Sequence, residues 1–141
     1  MKREKKLKRF VAQEEEKDIR ELYEDFQLQN RIKNLSEMTI RFYNQNLVHL
    51  FHFLDECIVN KCSGIDKKIV DDYILWLKDK NLKDTTINTY LRAARALLYY
   101  GMKEDYISKY EINLIKADKE QKEPYSEVEI KKLIKRINFI N

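Results

Sequence analysis

Apolar residues return every three or four positions along nearly all of this chain, and only two glycines and one proline interrupt its 141 residues. Such a period belongs to helices rather than to strands. A many-stranded sheet needs the turn chemistry that Gly and Pro supply, and this chain lacks it. With 43% hydrophobic residues, nine Tyr and six Phe it can fill a core. The expected class is all-α, with one domain-sized body.

The sharpest instance is residues 85–101, TTINTYLRAARALLYYG. Wound as a helix, it gathers Ile87, Tyr90, Leu91, Ala94, Leu97 and Leu98 on one face, which predicts a core helix. Thr85, Asn88, Arg92, Arg95 and Tyr99 follow the same steps on another face. That face offers hydroxyls, an amide and two guanidiniums without an acid, groups able to bond phosphate oxygens and base edges. Two arginines on a surface helix are also what ordinary solvation produces. Asp84 is the expected N-cap and Gly101 the expected C′ residue.

The other elements are read in the same way. Residues 18–32 predict a helix burying Ile19, Leu22, Tyr23 and Phe26. Ser36 caps a long helix expected over residues 37–57, with Ile40, Tyr43, Leu47, Leu50, Phe51 and Leu54 inward. Thr39, Arg41, Asn44, Gln45 and Asn46 collect near its start, a second polar surface short of acids. A loop over residues 58–65 leads to Asp66, the cap of a helix over residues 67–79. Trp76 belongs to the core or its rim. A further helical segment is expected over residues 102–109. Residues 112–123 become charged and end at Pro124, a linker composition. Ser126 and Glu129 then match a capping box, opening a helix with Ile130, Leu133, Ile134 and Ile137 apolar.

Charge is informative only where it is located. Residues 1–9 hold six Lys or Arg against Glu4, a local +5, so the other 132 residues sum to −1 out of a total of +4. A basic arm on a nearly neutral body does not by itself make a nucleic-acid binder, although such arms track phosphates. Equally, the arm is a solubilising tail in many proteins. Cys57 and Cys62 lack a second ligand pair. His49, His52 and Cys57 could be drawn as metal ligands, but free thiols and surface imidazoles are the simpler reading. No metal or cofactor is implied. No apolar run approaches a membrane span and no signal-peptide stretch opens the chain, so the expected location is the reducing cytoplasm.

Together, LSEMTIRFYNQNLVHLFHFLDE (residues 35–56), IDKKIVDDYILWLKDKNLKDTTINTYLRAARALLYYGMKEDYI (65–107) and KEPYSEVEIKKLIK (122–135) resemble the N-terminal half of a phage-integrase-type tyrosine recombinase. The resemblance implies a compact four- to five-helix core-binding domain over residues 18–112. A charged arm (1–17) and a helix precede the bundle, and a linker (113–124) follows it. Residues 125–141 would then be the first helix of a truncated catalytic domain. It further implies that the bundle clamps one side of a recombination-site duplex. The DNA contacts carried over are Ser36, Thr39, Arg41, Lys83, Thr85, Thr86, Asn88, Arg92 and Arg95.

The family's catalytic set does not follow. No His-x-x-Arg occurs, because His49 precedes Leu-Phe-His and His52 precedes Phe-Leu-Asp, and Tyr125 has no arginine clamp assembled around it in sequence. This chain alone is therefore not expected to cut a strand. It is expected to be monomeric and to meet further recombinase subunits only through a longer protein on DNA. The competing reading is a helical protein–protein module that docks a partner through the last helix or through Ala93, Ala94 and Ala96.

Overall fold

The computed structural model describes residues 16–117. The basic run of residues 1–9, the end of the expected linker and the helix expected from Ser126 lie outside the described residues. Within them, five α-helices follow in order: α1 (Ile19–Ile32), α2 (Glu37–Asn46), α3 (Val48–Glu56), α4 (Lys67–Lys78) and α5 (Asp84–Lys103). A short 3-10 turn, Cys62–Gly64, precedes α4. No strand is present among the described residues. The sole β-type contact there is one isolated bridge, Asp18 with Lys61, which ties the entry of α1 to the loop after α3. The all-α class is observed.

Local chemistry starts three of these helices. Asp18 accepts from the Arg20 amide at 2.8 Å, Ser36 Oγ from the Thr39 amide at 3.1 Å, and Asp66 from the Ile69 amide at 2.9 Å. Each bond satisfies one of the donors that a helix leaves open at its start. The start of α5 differs from expectation. Lys83 holds the cap position without a side-chain capping bond, and Asp84 is the first helical residue, where its charge complements the helix dipole.

Helix ends are made with few glycines. Asn34, Ile58, Asn81 and Asp105 all take positive φ, between 56° and 63°. After α1, the Asn34 and Leu35 amides return to the carbonyls of Arg31 and Asn30. After α3, Ile58 and Val59 return to Asp55 and Leu54, and after α5, Asp105 and Tyr106 return to Met102 and Gly101. Paired bonds of this kind around a left-handed residue satisfy the last carbonyls of a helix.

α5 is the hub, since it packs against each of the other four helices. Its Ile87, Leu91, Ala94, Leu97 and Leu98 meet Ile19, Leu22 and Phe26 of α1, Leu50, Phe53 and Leu54 of α3, and Val70, Tyr73 and Leu77 of α4 in one buried cluster. α2 buries no residue fully and lies on the outside, with Phe42 and Tyr43 half-buried. Arg20 of α1 and Asp55 of α3 close the surface with two bonds at 3.2 and 2.9 Å.

Three expectations are corrected here. The single helix over residues 37–57 is divided at buried Leu47 into α2 and α3. Asn46 Nδ2 bonds back to the Phe42 carbonyl at 2.8 Å, a side chain entering the helical ladder where the break falls. Gly101 does not end its helix but lies inside it, buried, where Leu22 and Ile107 approach too closely for a Cβ. No separate helix forms over residues 102–109, of which Met102 and Lys103 complete α5 and the rest are not helical. α5 ends at Lys103, and residues 108–117 run without regular structure, burying Ile112 and Ala117.

Candidate nucleic-acid interface

The polar stripe of α5 has an occupant. Asn88 is 8% exposed, and its side-chain amide holds the main chain of Ile115. Nδ2 donates to the Ile115 carbonyl at 3.0 Å, and Oδ1 accepts from the Ile115 amide at 2.9 Å. Three turns along, the Tyr99 hydroxyl accepts from the Ile112 amide at 2.9 Å and donates to the Ile112 carbonyl at 3.3 Å. Residues 112–115 therefore run back along α5, from its C-terminal half towards its first turns. Tyr110 adds a third tie, donating to the Ile65 carbonyl at 2.7 Å. Burial pushes the Tyr110 hydroxyl well above its ordinary pKa, so it remains a donor.

This removes Asn88 from the exposed contacts expected of it, because both ends of its amide are committed to Ile115. Arg92 and Arg95 share the helical row that Asn88 and Tyr99 bracket, Arg92 exposed and Arg95 half-buried. Lys83 and Thr85 are exposed and Thr86 half-buried in the first turn. Thr85 offers its carbonyl to the Thr89 hydroxyl at 3.0 Å. The exit segment adds a residue that periodicity did not reveal. Lys116 is exposed and follows directly on the pinned Ile115. The sequence signal for it was Ile112 and Ile115, two apolar residues inside a charged run.

The second surface is built by α1 and α2. Ser36 and Thr39 share a side-chain hydrogen bond of 2.9 Å beside the cap. Arg41 is exposed and lines a 430 Å³ groove with Tyr23, Gln27, Arg31 and Glu37. A polar network fixes the two walls. Tyr23 donates to Asn44 at 2.5 Å, Gln27 to the Ile40 carbonyl at 3.0 Å, and Asn30 to Gln27 at 3.0 Å. Phe26 packs on Tyr43 at 5.0 Å and on Tyr100 at 5.7 Å, so α2 meets the C-terminal half of α5. Lys83–Thr86 open the other end, about 22 Å away along the axis. The nine expected residues fall on two elements: Ser36, Thr39 and Arg41 at the start of α2, and Lys83, Thr85, Thr86, Asn88, Arg92 and Arg95 along α5 and its cap.

The imidazoles and thiols are placed elsewhere. His49 stacks on Tyr90 with ring centroids 3.9 Å apart, and burial, followed by the charges of His52 and Lys80, holds its pKa below the usual value. Cys62 is buried, its thiol pushed up to about 12, while Cys57 is exposed. Among the described residues no group of three or more His, Cys, Asp or Glu is placed to hold a metal ion, and no helix is long and apolar enough to cross a membrane. Trp76 donates to Glu56 at 2.7 Å beneath Lys80, a rim position. Of the alanine patch considered for a partner helix, Ala93 and Ala94 lie in the core at 0% and 2% exposure and Ala96 is half-buried against it.

Comparisons with known proteins agree on one family. A profile described as "Phage integrase SAM-like domain" matches residues 19–119. A protein of Staphylococcus haemolyticus (strain JCSC1435) named "Tyrosine recombinase XerC" is 29% identical over 73 residues, which are 52% of this chain and 24% of the relative. The chain therefore spans about a quarter of the length of the curated relative it matches. No solved structure matches.

Proposed function

The chain belongs to the phage integrase SAM-like domain family, and from that premise we propose that it binds duplex DNA as the non-catalytic clamp of a tyrosine recombinase. The observation that carries this reading is the family match across all five helices, joined to exposed cations and hydroxyls at the start of α5. Lys83, Thr85, Thr86 and Arg92 contact phosphates or groove edges there, Arg95 supports them, and Lys116 joins them from the exit segment. Ser36, Thr39 and Arg41 form the second contact. Asn88 is left out of the contact set, because its amide is occupied. In the whole protein, residues 18–112 hold one side of the site, and residues 113–124 lead into a catalytic domain beginning near residue 125. Further subunits assemble on the DNA for integration or excision of a mobile element in the cytoplasm.

A second reading, docking of a protein partner, has one observation in its favour. Leu28, Ile32, Leu35 and Met38 are exposed in succession around the α1–α2 turn. Fluorescence anisotropy with a plain labelled duplex separates the two. Binding at low salt that fades as salt rises supports the clamp, since phosphate contacts release counterions. Absence of binding even at low salt overturns it and leaves the protein-docking reading.

A further inference from the structure

The segment leaving α5 is fastened in an unusual way. Tyr99 and Asn88 each give one donor and one acceptor to a single residue, Ile112 and Ile115 respectively. Each side chain does for that residue what a neighbouring strand does in a sheet. The two attachment points are eleven residues apart on one helix and three apart on the segment. They fix its direction as well as its position. The side chains of Ile112, one of the tied residues, and of Ala117, two residues beyond Ile115, are buried.

We propose that Asn88 and Tyr99 are positioning residues, a two-point latch that sets where and in which direction the chain leaves the bundle. Released, residues 112–117 would sweep an arc with a reach of about 20 Å. Latched, they hold Lys116 in one place on the side of α5 that Asn88 occupies. Whatever is joined beyond residue 117 then starts from a defined point against the same surface as Lys83, Thr85 and Thr86. A stiff connection of matched length raises the effective concentration of a second binding part, whereas a loose one dilutes it. The composition of residues 112–123 suggests a free linker, but its first part is a fixed bracket. The proposal rests on the DNA-binding reading for the identity of the surface addressed, and not for the latch itself.

Pulsed dipolar spectroscopy on the full chain tests it. Spin labels at Lys78→Cys and Lys116→Cys, in a Cys57→Ser background that leaves only buried Cys62, should give one narrow distance distribution. Asn88→Leu combined with Tyr99→Phe should broaden it at least twofold, with helical circular dichroism unchanged. A distribution that stays narrow would overturn the latch and assign the hold to Ile112 and Ala117 packing alone. Should the double variant not fold, Tyr99→Phe alone serves, because the ring is retained and only the hydroxyl is lost. Amide exchange at Ile112 should then quicken at least tenfold while Leu91 and Leu97 keep their rates, and an unchanged Ile112 rate refutes the role of Tyr99. Failure of the DNA-binding reading would show separately, as no duplex binding by a parent chain whose distribution is narrow.

Discussion

Ile107 rests directly on the Cα of Gly101: a Cβ built there would stand 2.6 Å from Ile107 Cδ1 and 2.8 Å from Leu22 Cδ2. Two buried side chains from different parts of the chain close over one bare position in a helix. Gly101→Ala gains about 1 kcal/mol of helix propensity but must displace both neighbours, at a cost of about 1–3 kcal/mol for overpacking. The expected net effect is destabilisation by about 1 kcal/mol, from the difference of those terms. Urea unfolding of the two proteins measures it, and a more stable variant would show that the cluster yields freely.

Arg92 and Arg95 carry the guanidiniums of the proposed α5 surface. Arg92→Ala with Arg95→Ala should weaken duplex binding about tenfold or more at moderate salt and reduce the salt slope by about one per lost phosphate contact. Helix content should not change. Equal affinity in parent and variant would place the DNA face elsewhere.

Ile58 takes φ of 56° and is 90% exposed, so its side chain gains little burial for a left-handed backbone. The three equivalent positions are Asn34, Asn81 and Asp105, residues that tolerate this region. Ile58→Asn should stabilise the fold by about 1 kcal/mol, the scale of the left-handed penalty for an ordinary residue. Thermal unfolding checks it. A lower midpoint would mean that Ile58 has a contact outside this fold.

His49 titrates below its ordinary value because of burial and then because of His52 and Lys80. Near and below pH 6.5 the unfolded chain takes up this proton more readily than the folded one. The neutral ring's contribution is therefore complete above that pH and is lost as pH falls towards the lower folded value. His49→Phe keeps the stack on Tyr90 and removes the titration, so its unfolding midpoint should fall less between pH 7 and pH 5.5. Parallel pH profiles would exclude His49 as the source.

What the sequence disclosed follows the range of the interactions. Ser36 and Asp66 could be read as caps because their partners lie three residues away. The core face of α5 could be read because a helix repeats its faces. Gly101 could not, since its role depends on Leu22 and Ile107, which no local pattern joins to it. Asn88 looked like a member of a polar stripe, and its true partner is a backbone 27 residues further on. The groove of α1 and α2 was missed for the same reason: Tyr23 with Asn44 and Gln27 with Ile40 are antiparallel pairs across a turn. Lys116 was hidden at the start of a charged run, directly after residues held by side chains on another element.

The hub position of α5 has a consequence during synthesis. The first four helices leave the ribosome before the helix that all of them pack against. Until about residue 103 has emerged, Leu22, Phe26, Leu50, Phe53 and Leu77 lack the common surface that covers them. The nascent chain therefore exposes an incomplete apolar face until then, a state that chaperones recognise and that aggregates when left unguarded. A chain ending before α5 would leave the apolar faces of α1, α3 and α4 without the helix that joins them.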